Sequence, residues 1–194
     1  DELAMTRIEK LARRNIWCLT PYSTARDEAS GSIDIYLDAN ESPYDDGINR
    51  YPDPRSKRLR NMLSLIYNVE PEKIVVGNGS DETIDLVIRV FCTPGVDNIV
   101  SISPTYGMYK VCAGVNDVEY RELPLNNDFG FDNQDLLALT DCNTKLIFVC
   151  NPNNPTSLSL STNQLRELAS KFEGLLVIDE AYIEFSKNQS MAQY

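Results

Sequence analysis

Histidine is absent from this 194-residue chain, and no Cys-x-x-Cys occurs. A Ser-His-Asp triad is thereby excluded, and a zinc site loses its usual ligands. Positive charge is scarce too. Lys and Arg number 18 against 29 Asp and Glu, a formal charge of −11, which argues against nucleic acid or an anionic membrane as partner. No apolar run approaches the length of a bilayer span, and Arg7, Lys10, Arg13 and Arg14 interrupt any secretory-type stretch near the start. The dinucleotide fingerprint Gly-x-Gly-x-x-Gly is missing, and so are repeats and low-complexity tracts. The cysteines Cys18, Cys92, Cys112, Cys142 and Cys150 are odd in number and scattered. They read as free thiols of a reducing compartment, which predicts a cytoplasmic protein.

What remains is ordinary globular material, 42% hydrophobic and 24% charged, enough for one core. Residues 1–53 form an irregular N-terminal arm, in which a short helix (Thr6 to Arg14) precedes Pro-rich and Gly-containing segments without sustained period. Residues 54–194 alternate. A helix (Ser56 to Tyr67) leads to a strand (Lys73 to Val76), a helix (Ser80 to Cys92), a strand (Asn98 to Ile102), a helix (Tyr106 to Gly114) and a strand (Val118 to Leu123). A helix (Asn133 to Leu139), a strand (Lys145 to Cys150), a helix (Thr162 to Phe172) and a last strand from Leu175 follow. Such alternation predicts an α/β fold with a mostly parallel sheet and helices on both faces.

The last strand carries the first chemical signal. Leu175-Leu176-Val177-Ile178 is apolar without alternation, as in a parallel strand covered on both faces, and it runs directly into Asp179. A carboxylate at the C-terminal end of such a strand lies where open α/β sheets bind ligands; an Asp capping the next turn is the plainer reading. Lys145-Leu146-Ile147-Phe148-Val149-Cys150 likewise ends in Asn151-Pro152-Asn153-Asn154-Pro155-Thr156, where prolines stop the strand and asparagines are held at the same edge. Gly77-Asn78-Gly79 precedes a helix whose free amides at Gly79, Ser80 and Asp81 suit a phosphate. Alternatively Ser80 caps that helix, and Asp81 and Glu82 complement its dipole. Tyr106 follows a strand end and is placed either to stack on a flat heterocycle or to pack the rim.

Asn151-Pro152-Asn153-Asn154-Pro155-Thr156, followed by a strand ending Asp179-Glu180-Ala181-Tyr182-Ile183-Glu184-Phe185, resembles the fold-type-I pyridoxal-phosphate aminotransferases, most closely the histidinol-phosphate aminotransferases. Leu19-Thr20-Pro21-Tyr22, Leu37-Asp38-Ala39-Asn40-Glu41-Ser42-Pro43, Asn49-Arg50-Tyr51-Pro52-Asp53, Gly77-Asn78-Gly79-Ser80-Asp81-Glu82 and Pro104-Thr105-Tyr106-Gly107-Met108-Tyr109 stand in that family's order, so the resemblance spans nearly the whole chain. It implies an incomplete large domain of that fold, pyridoxal 5'-phosphate as cofactor, and transamination of histidinol phosphate with 2-oxoglutarate in histidine biosynthesis by a homodimer. It also implies roles. Asp179 pairs with the pyridine nitrogen, Tyr106 stacks on the ring, Asn154 and Tyr182 reach the phenolic oxygen, and the Gly79, Ser80 and Asp81 amides take the phosphate. Tyr51 reaches the phosphate across the dimer interface, while Tyr22, Asn40 and Glu41 lie near substrate.

Two departures qualify the resemblance. The family's Schiff-base lysine lies about thirty residues beyond the aspartate on a Ser/Thr-x-Lys turn, whereas here only Lys187 follows Asp179, in the polar turn Phe185-Ser186-Lys187-Asn188. A desolvated amine is not expected there, so the chain taken alone is expected to be inactive. Ser157 replaces a usual Gly, which strains the loop if that position needs φ > 0. A non-catalytic truncated remnant and a related enzyme, threonine-phosphate decarboxylase or an aromatic aminotransferase, remain open alternatives.

Overall fold

A computed structural model describes residues 6–23 and 35–194; the parts of the expected arm at 1–5 and 24–34 lie outside the described residues. The chain groups into two compact units. One comprises Asp1–Trp17 with Gly77–Tyr194, and the other Cys18–Val76. The segment from Pro54 to Val76, expected with the sheet, groups with the arm residues instead.

In the larger unit, four strands form a parallel sheet in the order β2-β1-β3-β4, with β1 Asn98–Ser103, β2 Glu119–Pro124, β3 Thr144–Cys150 and β4 Leu175–Asp179. Helices connect them on both faces. Side-chain alternation splits β1 and β3 between two cores. Ile99, Leu146, Phe148 and Cys150 pack with Ile84, Ile88, Tyr109, Cys112 and Ala113. Those partners belong to α4 (Gly79–Phe91) and α5 (Met108–Val115). Val100, Ile102, Ile147 and Val149 face the other way, onto Leu136, Leu165, Leu168 and Phe172, from α6 (Asn133–Ala138), α7 (Thr162–Lys171) and the residue after α7. Gly174 begins β4's approach because a Cβ there would stand 2.5 Å from the Lys145 carbonyl oxygen; no side chain fits.

At the N-terminus the expected single helix is broken. Thr6 caps α1 (Arg7–Leu11) in a capping box with Glu9, Ala12 is extended, and α2 (Arg14–Trp17) restarts. The helix expected from Tyr106 begins at Met108, after the turn that carries Tyr106. β4 was expected to be covered on both faces; all its residues are half-buried, and among the described residues it pairs with β3 alone.

In the smaller unit, α3 (Lys57–Tyr67) lies between Ser56 and Asn68, both left-handed at φ 46 and 53. Arg60 donates to the Pro71 carbonyl, which ties α3 to the turn Pro71–Lys73. Lys73 to Val76, read as a strand, is not one. Ile74 is extended, but no neighbouring strand pairs with it among the described residues, and an unpaired strand is not stable in water.

Candidate active site

In the larger unit the C-terminal ends of β1, β3 and β4 carry the predicted residues. The register pairs Cys150 with Asp179, and the Asn151 amide extends the ladder by donating to the Asp179 carbonyl at 2.8 Å. Asp179 therefore sits at the sheet's rim with its backbone fixed. Its side chain is fixed as well: Oδ2 accepts from the Tyr109 hydroxyl at 2.7 Å and Oδ1 from the Ala181 amide at 3.1 Å. Tyr109 is fully buried. Burial and the bond to Asp179 push its phenol far above the usual range, so it acts as a neutral donor.

The loop after β3 assigns its asparagines different tasks. Asn151 is buried and its Oδ1 accepts from the Leu160 amide at 2.8 Å. Asn153, also buried, donates to the Pro104 carbonyl at 3.1 Å and to Thr156 Oγ1 at 3.0 Å, while its Oδ1 accepts from Thr105 Oγ1 at 2.7 Å. Asn154 carries no side-chain hydrogen bond among the described residues, so its amide is the one the loop presents. Ser157 stands at φ 62, the left-handed conformation that a Gly would adopt without strain.

Tyr106 joins this rim to the start of α4. Its hydroxyl donates to Asp81 Oδ1 at 2.8 Å, and that bond raises the phenol's pKa, with Asp179 and Tyr182 near enough to add to the rise. Its ring meets the Tyr109 ring edge-on, centroids 5.8 Å apart at 83°. Tyr182, 46% exposed, leans on Phe185 with centroids 6.5 Å apart. The structure thus brings Asp81, Asp179 and Tyr182 close to Tyr106, whose ring in turn meets Tyr109.

At α4 itself, Gly79 has φ +81 with open space around it, and Asn78, the N-cap residue, caps no backbone amide with its side chain, whose Nδ2 donates instead to Glu82 Oε2 at 3.1 Å. Ser80 lies inside the helix and is not its cap. Neither acid points at the helix end as a dipole complement alone. Asp81 is taken by Tyr106, and Glu82 folds back to accept from the Asn78 amide at 2.5 Å. The amides of Gly79, Ser80 and Asp81 stand at an uncapped helix start, the arrangement that suits an anion. A carboxylate, an unbonded amide, a phenol, a stacking ring and a helix start make a donor set that fits pyridoxal phosphate. A separate concavity of about 410 Å³, lined by Asn126, Phe131, Asp132, Asn133, Gln164 and Glu167, contains none of these residues.

Tyr22, Asn40, Glu41 and Tyr51 lie in the smaller unit. Tyr22 is 90% and Tyr51 63% exposed. Glu41 is a structural clasp there: it accepts from Arg50 at 2.7 Å and from the Tyr51 amide at 2.8 Å, and Arg50 lies over the Tyr36 ring at 5.2 Å. Lys187 is exposed. Tyr109 and Asn153 were not singled out from sequence, although Tyr109 stands one helical turn from Tyr106 in the quoted motif.

Comparison with known proteins bears on this arrangement. The aminotransferase class I and II family matches residues 28–194. A curated relative, histidinol-phosphate aminotransferase of Bacteroides fragilis, is 54% identical over 187 residues, covering 96% of this chain and 54% of that protein. Among solved structures, histidinol-phosphate aminotransferase from Sinorhizobium meliloti in complex with pyridoxal-5'-phosphate is 24% identical with a TM-score of 0.65, over 71% of this chain and 38% of that one; this likeness concerns the fold. L-threonine-O-3-phosphate decarboxylase from Porphyromonas gingivalis is 25% identical with a TM-score of 0.60, over 74% and 44%. The chain spans about half the length of the curated relatives it matches.

Proposed function

This chain belongs to the aminotransferase class I and II family, and on that premise we propose that the complete protein is a homodimeric, pyridoxal-phosphate-dependent enzyme exchanging an amino group between histidinol phosphate and 2-oxoglutarate. The 54% identity to a histidinol-phosphate aminotransferase across 96% of this chain carries the reading. Identity to the phosphothreonine decarboxylase, at 25%, supports the alternative far less.

The residues divide the work as follows. Asp179, its carboxylate held by Tyr109 and Ala181, faces the pyridine nitrogen and keeps it protonated. Tyr106 stacks on the ring, with its hydroxyl anchored on Asp81. Asn154 and Tyr182 donate to the phenolic oxygen, and the amides of Gly79, Ser80 and Asp81 hold the phosphate. When bound, the cofactor supplies an electron sink for the charge left as the substrate's α-proton departs. Tyr22, Asn40 and Glu41 serve the substrate side, the last by fixing Arg50 and the Tyr51 amide; Tyr51 completes the phosphate site of the neighbouring subunit. Among the described residues no helix is long and apolar enough to cross a membrane.

The test is an assay of the purified full-length protein for glutamate formed from histidinol phosphate and 2-oxoglutarate. Phosphothreonine decarboxylation and transfer from aromatic amino acids are measured beside it. Faster turnover of either of those substrates than of histidinol phosphate would sink the substrate assignment.

A further inference from the structure

We propose that Tyr109 is a positioning residue that sets two cofactor contacts at once, orienting the Asp179 carboxylate through its hydroxyl and bracing Tyr106 with its ring. The inference rests on the roles just given to Asp179 and Tyr106. A carboxylate on a strand end swings about its side-chain torsions unless both oxygens are held. Here Tyr109 holds Oδ2 at 2.7 Å and the Ala181 amide holds Oδ1 at 3.1 Å, so the plane of the group is fixed while each oxygen keeps a lone pair for a further donor.

The nature of the donor matters as much as its place. Tyr109 is fully buried in the core cluster of α4, α5 and the sheet, and its phenol is driven far upward by burial and by Asp179. It therefore stays a neutral donor. A neutral hydroxyl favours the ionised carboxylate without cancelling its charge; a lysine or arginine in that position would neutralise the charge that a pyridinium needs. The ring is equally constrained. It stacks on Phe148 with centroids 4.9 Å apart at 23°, and it meets Tyr106 edge-on at 5.8 Å and 83°, an arrangement aromatic pairs prefer. Phe148, on the central strand β3, thus supports Tyr109, and Tyr109 supports both groups that face the ring of the cofactor.

The experiment uses full-length protein loaded with pyridoxal phosphate carrying ¹⁵N in the ring. Four proteins are compared: wild type, Tyr109→Phe, Asp179→Asn and the double variant, with Leu168→Ala as a packing control. Cofactor dissociation by equilibrium dialysis and the ring-nitrogen chemical shift are read. Tyr109→Phe keeps the ring packing and removes only the hydroxyl, and it should weaken cofactor retention about tenfold, as expected for one hydrogen bond to a charged group. It should also move the ¹⁵N resonance. In the Asp179→Asn background the same change should cost less than about twofold, because coupled residues are not additive. Leu168→Ala should lower thermal stability and leave the resonance in place, because Leu168 packs on the other face of the sheet. An equal cost of Tyr109→Phe in both backgrounds, or an unmoved resonance, overturns the proposal. Wild-type protein that does not bind pyridoxal phosphate overturns the cofactor reading itself, and this inference with it.

Discussion

Replacing Ser157 by Gly should stabilise the protein, against the usual expectation for glycine in a loop. Ser157 sits at φ 62, where an L side chain crowds the following carbonyl at a cost of about 1–2 kcal/mol. Glycine removes that crowding and adds chain entropy to the unfolded state, which takes back about 0.5–1 kcal/mol. The side chain itself is exposed, and the bond that shapes the turn, from the Ser157 amide to the Asn153 carbonyl at 2.7 Å, is a backbone one; nothing else is lost. The net gain is about 0.5–1 kcal/mol, or roughly 1–4 °C in Tm at this chain length. Differential scanning calorimetry of wild type, Ser157→Gly and Ser157→Ala decides it. Alanine keeps the strain and should leave Tm near wild type. A Ser157→Gly protein that melts below wild type, or a Ser157→Ala protein that melts as high as Ser157→Gly, would refute the argument that this position pays for its conformation.

Asp141 is held well below the usual carboxylate range by the Asn98 amide first and Arg121 next. Folding lowers its pKa, so its contribution is present above about pH 4 and is lost as pH falls further; urea midpoints of Asp141→Asn should trail wild type at pH 7 by a gap that narrows steadily as pH falls below about 4, and a pH-independent gap would exclude this origin. The Cys92 thiol is raised to about 12, chiefly by burial, while Cys18 and Cys142 are exposed and Cys92, Cys112 and Cys150 buried. A thiol reagent should therefore label Cys18 and Cys142 in the native protein and the other three only on unfolding, as peptide mass mapping would reveal. Tyr51→Phe in the full-length enzyme should weaken cofactor retention about tenfold. In heterodimers between that variant and one lacking the Schiff-base lysine, the site that keeps its lysine should hold cofactor as tightly as wild type if Tyr51 acts across the interface, and should show the weakened retention if it acts within its own subunit.

β1 and β3 were legible because a strand buried on both faces is rich in apolar residues that do not alternate with polar ones, as in Ile99-Val100 and Leu146-Ile147-Phe148-Val149. The same reasoning misread Lys73 to Val76. An apolar run of three, Ile74 to Val76, states a preference for pairing, but the neighbour that would satisfy it is a tertiary matter. Break points were harder. Ala12 breaks one expected helix by turning extended, and another starts at Met108 and not at Tyr106, local backbone choices that periodicity does not encode. In the candidate site, Asp179, Tyr106 and the Gly79 helix start could be named because each stands where a strand ends or a helix begins. Tyr109 could not be ranked beside Tyr106, since spacing alone does not say which hydroxyl finds a carboxylate. Asn154 was set apart from Asn153 by the family resemblance alone, since adjacent identical residues differ only in which one faces inward. The positive φ of Ser157 followed as a condition from the loop's resemblance, and the structure supplied the angle.

Asn153 joins two loops that lie far apart in sequence, since its amide spans from Pro104 and Thr105 after β1 to Thr156 after β3. In a saturation mutagenesis screen these positions should therefore behave as one locus. Harm from a change at Thr105 would be masked in a background already altered at Asn153, and a revertant of one would arise at the other more readily than at either sequence neighbour. Selection would then score Asn153 as essential to turnover even though it never meets a ligand, because what it secures is the spacing between the shelf that bears Tyr106 and the one that bears Asn154.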